Sequence, residues 1–582
     1  MQMNLLLVLL WLFRTNMTCI QAICLSPGPE NSEVVRFVPL AAFAPNRPRR
    51  SPRPPLLFGV HLDASFRTLP FSKVLETRIV QPAMEFWQMT LSLVSYDLVN
   101  VKLDRQCVGG NVGFVQEEDS SKNRPISFCI QGCEPITRCG PVHVPPEHLH
   151  SCRNASNPHL MPSDMPQTGG PNFRIYVSAL SSAQCDKSEA SIGFAAHCQQ
   201  ESQTDRPIAG FINFCPRELL RKHAQTAELT YFVKHEMLHI LGFSSSLYAF
   251  FRGPTGEPLT PRQLFPPNPN LGWFDQSRGV YKWSEGVIKL VVRNWTSSCG
   301  VFPKVAHLLR TPTVLRVARE YFDCPSLEGV ELEDHHLPGV SLSHWETRLL
   351  GNDLMTPTYT NAFALSKLTL ALMEDTGWYL ANYSSADDLP WGFGRGCLFA
   401  TGSCFQFMSE QTKQRQSTAP FCYDSQLTRP ASPVHVSCLP GGSSFGYCNL
   451  VRHRETLPPE YTYFASPNPF KTSFSLASAS GLLSAPGEGG DCNLGGKVEM
   501  ANFCPFVQEI TWELQQGSVS RSSICTEPLN TFSSVAENYN LEIYGRHARC
   551  FSTSLNWRLT ENETVFHPPV IGAACFEFCL RV

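Results

Sequence analysis

The sequence predicts an α+β fold in two subdomains, followed by a disulfide-rich C-terminal region. Two runs rich in β-branched and aromatic residues, 173–180 and 208–215, have the composition of strands and precede a long apolar helix. Of the 23 cysteines, 21 lie from Cys107 onward, where they recur in clusters. We place the first subdomain at residues 66–242, the second at residues 243–383 and the C-terminal region at residues 386–582.

The composition excludes several classes of protein. Of the 582 residues, 42% are hydrophobic and 17% are charged, which predicts a folded chain of roughly three to four domains or subdomains. Lys and Arg total 47, Asp and Glu total 50, and the formal net charge is -3. The basic residues form no stripe of the kind that binds nucleic acid, so we expect no nucleic-acid partner.

The spacing of the cysteines favours disulfides over metal ribbons. Such a density in a cytosolic protein would suggest zinc ribbons, but the chain has no paired C-x2-C sets. A disulfide framework formed in an oxidising compartment is the better interpretation. The sequence does not specify which cysteines pair.

The N-terminal residues indicate export. Residues 5–13 form a nine-residue apolar run, which is shorter than the roughly 20 residues that cross a bilayer. We predict a signal peptide at residues 1–22, cut after Ala22, and a secreted chain without a transmembrane segment, while membrane-anchored relatives or isoforms stay open. The candidate glycosylation sites are Asn154, Asn294, Asn382 and Asn562.

Residues 227–243 predict a buried helix that carries a metal-binding motif. His235 and His239 are four residues apart, so both imidazoles project from one face and can reach one zinc ion. Glu236 is offset by about 100 degrees and can act on a water molecule instead of the metal. Gly242 suits a left-handed helix cap. The alternative is a core helix with two ordinary histidines, which would be costly in an apolar setting.

A third zinc ligand has to lie elsewhere in the chain. The short metalloprotease pattern would place a histidine where this sequence has Ser245. The downstream candidates are His307, His335, His336 and His344. His344 is followed eleven residues later by Met355 in the turn-like "LMTP".

The motifs "HEMLHILGFS", "AREYFDCPSLEGVELED", "SHWETR", "NDLMTP" and "LPPEYTYF" occur in this order. From about Leu75 to the C-terminus, the sequence resembles leishmanolysin and its animal relatives, and most of all the ciliated left-right organizer type. The resemblance implies a metzincin-like zinc protease domain with one zinc per chain, ligated by His235, His239 and His344. It also implies Glu236 as the general base and Met355 as the turn methionine. One of the two predicted strands is then expected to run beside the cleft and to pair with extended substrate.

The segment before the first subdomain predicts a short propeptide at residues 23–50. Arg47, Arg49 and Arg50 form the R-x-R-R pattern that secretory processing proteases cut, although a basic extended linker explains them equally well. The thiolate of Cys24 could hold the zinc in a latent form. Family members often have a longer prosegment.

Two functions are compatible with this sequence. The first is a zinc endopeptidase that cleaves extracellular-matrix or cell-surface proteins. The second is a catalytically silent adhesion or interaction protein on the same scaffold. The carboxylate of Glu236 favours the first, because a silent scaffold has no need for it. Trp345 and Glu346, beside His344, either shape the surroundings of the metal or belong to the core.

Overall fold

The structure is a computed structural model of the whole chain. It describes residues 24, 28–29, 33–40, 54–94, 101–116, 125–159, 170–187, 191–222, 226–334, 342–358, 363–423, 433–464, 493–512, 521–532, 538–556, 559–561, 564–566, 568 and 570–577. The predicted signal peptide, the Arg47–Arg50 processing pattern, His335, His336 and Asn562 lie outside these residues.

A five-stranded mixed sheet forms the centre of the first half of the chain. Its strands are β1 (Val35–Val38), β2 (Phe58–Leu62), β3 (Phe173–Ser178), β4 (Gly193–Glu201) and β5 (Pro207–Phe214). Their order across the sheet is β1-β4-β5-β3-β2. β4 and β5 are antiparallel, and the other neighbours are parallel. β3 and β5 match the predicted strands to within two residues, and every residue of β5 is buried.

The prediction that β3 or β5 would be free to pair with substrate is wrong. β5 lies between β4 and β3, and β3 lies between β5 and β2, so both edges of each strand already carry a partner. β4 has one neighbour from the main body of the sheet, and its outer edge is covered by β1 from the predicted propeptide. The buried sequences of β3 and β5 therefore reflect central positions in the sheet.

Four helices pack around this sheet and the histidine motif. They are α1 (Gln81–Thr90), α2 (Thr226–Leu241), α3 (Pro312–Phe322) and α4 (Lys367–Asp375). α2 confirms the helix expected over residues 227–243. It packs closely on β5, because a Cβ added to Gly210 would lie only 2.2 Å from Ile240 Cγ2.

The end of α2 differs from the prediction at Gly242. This residue does not have the positive φ of a left-handed cap. A Cβ at Gly242 would lie 2.9 Å from Thr376 Cγ2 and 3.4 Å from Met373 Cε. Glycine therefore allows the end of α2 to approach α4, and its small size matters more here than its conformational freedom.

The second half of the helical core is tied together by side-chain caps. Asp375, at the end of α4, accepts hydrogen bonds from the backbone N–H groups of Thr313 and Val314 at 2.8 and 2.9 Å, which satisfies the first turn of α3.

A long hairpin, β6 (Ile288–Ser297) and β7 (Gly300–Leu309), precedes α3 in the chain. Its second strand, β7, pairs with the short strand Val330–Glu331, which follows α3.

The remaining elements lie around these. The other helices are Ala64–Arg67, Ser72–Leu75, Glu76–Val80, Val108–Gly110, Pro146–His148, Ala183–Asp186, Pro216–Lys222, Tyr248–Phe250, Thr347–Leu350, Tyr383–Ser385, Gly396–Thr401, Cys404–Lys413, Pro459–Tyr461, Glu499–Ala501 and Pro528–Asn530. The other strands are Leu91–Leu93, Val112–Gln116, Pro125–Cys129, Arg138–Cys139, Val142–His143, Trp273–Asp275, Val280–Tyr281, Tyr379–Ala381, Val434–His435, Ser437–Cys438, Phe445–Cys448, Leu450–Arg452, Leu494–Gly496, Val507–Glu509, Thr511–Trp512, Arg521–Ser522, Ala548–Ser552, Leu559–Glu561, Thr564–Phe566, Val570–Ile571 and Ala573–Glu577.

Nine disulfides run through the described residues, which confirms the predicted disulfide framework. They are Cys107–Cys129, Cys133–Cys152, Cys139–Cys198, Cys185–Cys215, Cys324–Cys397, Cys404–Cys504, Cys422–Cys448, Cys438–Cys550 and Cys525–Cys575. Two of the described cysteines, the buried Cys24 and the exposed Cys299, are not in disulfides. Such a framework is typical of an extracellular protein. No helix within the described ranges is both long and apolar enough to cross a membrane.

Candidate metal centre

Two turns of α2 bring His235 and His239 together inside the main core. The two side chains are 0% and 2% exposed, and their Nε2 atoms lie 3.1 Å apart. The neighbouring residues on the helix, from Met237 to Leu241, are buried too. The apolar sequence of the helix therefore holds both imidazoles in a site that excludes bulk water.

His344 reaches the same point from the segment that follows the short strand Val330–Glu331. Its Nε2 lies 3.2 Å from Nε2 of His235, and the side chain is 0% exposed. The backbone fixes the approach, because the N–H of Glu333 donates to the carbonyl of His344 at 2.9 Å. The N–H of Trp345 donates to the carbonyl of Met355 at 2.9 Å. The structure therefore brings together the three histidines that the sequence proposed as ligands.

The other ring nitrogens show how these imidazoles are oriented. Nδ1 of His235 lies 2.5 Å from the carbonyl of Leu354, and Nδ1 of His239 lies 2.8 Å from the carbonyl of Phe243. A carbonyl only accepts, so both Nδ1 atoms carry the proton and both Nε2 atoms present a lone pair to the cluster. Burial lowers the pKa of His239 to about 4, and burial together with His239 lowers the pKa of His235 well below its usual value. Both rings are therefore neutral at pH 7.

This donor set fits a zinc ion. A tetrahedral site with Zn–N of roughly 2.0–2.1 Å separates its ligand atoms by roughly 3.3–3.4 Å. The observed Nε2 separations of 3.1 and 3.2 Å are close to that spacing. Converging lone pairs repel each other unless a cation lies between them, and the Nδ1 hydrogen bonds are the supports that metal-binding histidines usually have.

A glutamate and a thiol complete the cluster. Glu236 is fully buried, and its Oε1 accepts a hydrogen bond from Cys24 Sγ at 3.3 Å. Cys24 Sγ also lies 3.5 Å from His239 Nε2. Together with the three histidines, the thiol forms a set whose ligand atoms all lie within 4.8 Å of one another. The residue predicted as a latency switch therefore lies at the metal centre.

A second described part of the predicted propeptide, residues 33–40, also contacts the body of the protein. The Arg36 guanidinium lies over the ring of Phe250 at 5.4 Å, and its Nε donates to Gln200 Oε1 at 3.0 Å. Val38 is fully buried in a second core cluster behind the sheet. The segment is therefore anchored at two places, the thiol at the metal centre and β1 at the sheet edge.

The turn with Met355 supports the third histidine and α2 at the same time. Asp353 Oδ1 accepts from the N–H of Met355 at 2.7 Å, and Met355 is fully buried. The adjacent carbonyl of Leu354 is the acceptor for His235. Sequence reasoning identified this methionine, while the role of the Asp353 carboxylate in shaping the turn was missed.

Beyond Trp345 lies a buried ion-pair network that sequence reasoning also missed. Glu331 Oε2 lies 3.2 Å from Arg348 Nη2 and 3.3 Å from Arg293 Nη1. Glu346 Oε1 accepts from Asn502 Nδ2 at 2.7 Å. Burial, reinforced by the charge of Glu331, raises the pKa of Glu346 to about 8.

Trp345 belongs to the core that separates this network from the histidines. It is fully buried, it packs edge-on against Phe243 with ring centroids 4.9 Å apart, and its Nε1 donates to Thr369 Oγ1 at 2.9 Å. Both interpretations of this residue therefore hold in part, because its side chain is core and its backbone supports the Met355 turn.

The other candidate residues lie elsewhere. His307 lies on β7, opposite Leu290, and is absent from the cluster of four ligand atoms. The N–H of Ser245 donates to Ser343 Oγ at 3.2 Å, so the position that the short pattern reserves for a ligand contacts the segment that carries His344 instead.

The comparisons with known proteins agree on one family. The leishmanolysin family model matches residues 137–253 and 282–578, which is more than half of the chain. The leishmanolysin-like peptidase of Drosophila melanogaster is 38% identical over 82% of this chain and 66% of its own length. That of Caenorhabditis elegans is 34% identical over 92% of this chain and 79% of its own length. The ciliated left-right organizer metallopeptidase of Mus musculus is 32% identical over 41% of this chain and 30% of its own length.

The chain thus spans about two thirds of the length of the fly relative and more of the worm relative. The match with the mouse protein is shorter and lower in identity than these two. The histidine cluster and the turn that supports it both lie within the matched residues. This chain therefore belongs to the leishmanolysin family of metallopeptidases.

Proposed function

We propose that this chain is a secreted, metzincin-like zinc endopeptidase that hydrolyses peptide bonds of extracellular or cell-surface proteins. The observation that carries the proposal is the convergence of three buried Nε2 atoms beside the carboxylate of Glu236. His235, His239 and His344 are the ligands of one zinc ion, and Glu236 is the general base. The protein belongs to a family of peptidases, which supports protein substrates.

Each part of the site has one role in this proposal. A zinc ion held by the three histidines supplies a Lewis acid that lowers the pKa of water from about 15.7 towards about 7. Glu236 accepts the proton of the attacking water and donates it to the leaving amine. The carbonyls of Leu354 and Phe243 hold the rings of His235 and His239 in the tautomer that keeps Nε2 free for the metal.

The substrate-binding strand in this proposal is β4. It is antiparallel to β5, and its outer edge is the edge that β1 covers. An extended substrate would add to that edge through main-chain hydrogen bonds once β1 has left. The propeptide then blocks the enzyme twice, with the Cys24 thiol at the metal centre and with β1 along the substrate strand.

The domain limits belong to the same proposal. Residues 1–22 are the signal peptide and residues 23–50 the propeptide. The catalytic subdomains are residues 66–242 and 243–383, and residues 386–582 are the cysteine-rich C-terminal domain.

The decisive experiment compares the wild type with Glu236→Gln after secretion and cleavage of the propeptide. Zinc content and peptide cleavage are measured on the same preparations. We expect both proteins to retain one zinc, and the variant to cleave peptide about 10²–10⁴-fold more slowly. Glu228→Gln, at the start of the same helix, is the matched control and should cleave normally. A wild type that keeps zinc and cleaves nothing after processing would contradict the proposal and favour the silent adhesion scaffold.

A separate experiment tests whether Cys24 keeps the unprocessed chain inactive. In the unprocessed chain, Cys24→Ser replaces a zinc-binding thiolate by a weaker ligand, so we expect peptide cleavage to appear without processing. Cys299→Ser, at an exposed thiol, is the control. Equal inactivity of both unprocessed variants, with normal activity after processing, would show that β1 alone is sufficient for latency.

A further inference from the structure

The hairpin β6–β7 exposes an apolar face. Its two strands are paired without interruption over ten residues each. On the outward face, Leu290, Val292, Val301 and Val305 are 56%, 64%, 63% and 44% exposed. Val292 and Val305 lie directly opposite each other, and Val301 lies opposite Thr296. Neighbouring apolar side chains of this kind on one strand pair form a continuous patch and not scattered single residues.

The opposite face fixes the orientation of the hairpin. Trp295 is fully buried and its Nε1 donates to the carbonyl of Thr401 at 3.1 Å. Ser297 Oγ donates to the carbonyl of Pro459 at 2.8 Å. Because side chains alternate along a strand, these contacts hold the apolar set on the solvent side, and a shift of register would expose Trp295 instead.

Asn294 lies in the middle of the apolar face. It pairs with Pro303, between the rung of Val292 with Val305 and the rung of Thr296 with Val301. Its side chain is exposed. It is also the first residue of an Asn-Trp-Thr sequon, so the amide that a glycosylating enzyme modifies projects from the centre of the patch.

The other described sequons have a different setting. Asn154 Oδ1 accepts from the backbone N–H groups of Ser156 and Asn157. Asn382 Oδ1 accepts from both the N–H and the hydroxyl of Ser384 at 3.2 and 2.7 Å. Neither asparagine is surrounded by exposed apolar side chains on a strand face. At Asn294, by contrast, an accessible amide lies among exposed apolar side chains.

We propose that an N-linked oligosaccharide on Asn294 covers the apolar face of β6–β7 and keeps the protein from associating through it. In the transfer, Asn294 Nδ2 forms a bond to C1 of the first sugar of a lipid-linked oligosaccharyl pyrophosphate. The C1–O bond breaks, the lipid pyrophosphate leaves, and the amide loses one proton. The attached sugars are hydrated on their outer side and extend over the valines on both neighbouring rungs.

The test uses the full chain secreted from a glycosylating host. Peptide mass spectrometry, with and without enzymatic release of the glycan, reports the occupancy of Asn294. Light scattering after size-exclusion chromatography reports self-association. Asn294→Gln and Thr296→Ala both remove the sequon, while Thr296→Ser keeps it and Asn382→Gln removes a sequon elsewhere. We expect the first two to lose the Asn294 glycan and to self-associate about tenfold more tightly, and the last two to behave like the wild type.

A rescue separates cover of the patch from a general effect of the glycan on folding. In Asn294→Gln, the further changes Val292→Thr and Val305→Thr make the face polar and should restore the wild-type association state. Release of the glycan from the folded wild-type protein avoids any folding defect and should produce the same association. An unmodified Asn294 in the secreted wild type overturns the proposal. Equal association before and after release of the glycan overturns the role of the glycan as cover.

Discussion

Two buried polar clusters lie on either side of Trp345, and they contain different kinds of polar groups. His344 belongs to the histidine cluster, and Glu346, two residues later, belongs to the ion-pair network. Both clusters are removed from water, where unpaired polar groups are costly. One holds three imidazoles, a carboxyl group and a thiol, and the other holds charged side chains of both signs.

The ion-pair network is compensated within the chain. Glu331 has Arg348 and Arg293 as partners, and Asp334 has Lys304 at 3.1 Å. Glu346, with its raised pKa, is supported by Asn502. Each carboxylate of this set has a donor from the chain itself. A network of this kind is structural, and it links the C-terminal region to the segment that carries His344.

In the histidine cluster, the ring nitrogens face one another and the thiol of Cys24. The Nδ1 atoms of His235 and His239 contact carbonyls, and the Nε2 atoms of the three histidines lie close together. The thiol of Cys24 is a further soft ligand at the same point. The two clusters therefore differ in the kind of partner that their polar atoms have. In the network, the carboxylates contact cationic side chains of the chain itself, whereas the ligand atoms of the histidine cluster face one another in an arrangement that could hold a metal ion.

The largest expected effect comes from His344→Ala. This change leaves two imidazoles from α2, and two ligands hold zinc poorly. We expect zinc affinity to fall at least about a hundredfold and peptide cleavage to be lost. Zinc content after competition with a chelator measures the first effect. His307→Ala removes a histidine of the nearby hairpin and should leave both quantities unchanged.

An unchanged zinc affinity in His344→Ala would contradict the assignment of His344 as a ligand. The metal would then be held without the third imidazole, and the convergence at His344 would have no role in binding.

The two clusters also differ in how far the sequence predicts them. His235, Glu236 and His239 follow from local helix geometry, because residues four apart share a face. His344 approaches them only through tertiary packing, so it rested on the resemblance to a family. Nothing near Arg348 in the sequence indicates that it is buried, because a lone arginine in a polar stretch is usually solvated. Its burial depends on partners from distant parts of the chain.

The strands of the central sheet also differ in how far local sequence predicts them. β3 and β5 were predicted because their own sequences are strand-like over several residues. β1 is a four-residue strand whose partner, β4, lies more than a hundred residues downstream, so nothing local marks it. The assignment of the substrate edge failed for this reason, since an edge is a property of the sheet and not of one strand.

The second-largest expected effect is a loss of folding stability when the ion-pair network is broken. Arg348→Met removes a guanidinium that is fully buried against Glu331 and leaves that carboxylate with fewer donors. Breaking a buried pair from one side typically costs about 3–5 kcal/mol of folding free energy. Thermal unfolding of the intact chain measures the loss. Arg316→Met breaks an exposed pair with Glu320 and should cost no more than about 0.5 kcal/mol.

The double variant Arg348→Met with Glu331→Leu sharpens this result. Replacing both partners by apolar groups removes the unpaired carboxylate, but it also takes away the carboxylate that Arg293 contacts, so it should recover only part of the loss. A double variant that is as unstable as the sum of the single changes would mean that the two residues act independently and that the network is not a unit.

The smallest effect comes from a third kind of buried polar group, the isolated histidine. His197 on β4 is fully buried, and neither ring nitrogen has a hydrogen-bond partner among the described residues. Burial, and then the charge of Arg36, lowers its pKa to about 3. An unfolded chain with a histidine pKa of about 6.5 binds more protons than the folded chain between these values, so stability falls as the pH falls through that window.

For His197 alone, this linkage amounts to about 2 kcal/mol between pH 7 and pH 5. His197→Leu should therefore lose less stability than the wild type over that range, as measured by thermal unfolding of the unprocessed chain at both pH values. His159→Gln, at an exposed position, should follow the wild type. The other titrating groups are the same in the wild type and in His197→Leu, so the difference between their curves reports on His197. Parallel curves for the wild type and His197→Leu would mean that the buried ring keeps a partner that offsets the cost of its burial. An isolated buried histidine would then resemble the ion-pair network more than the metal centre.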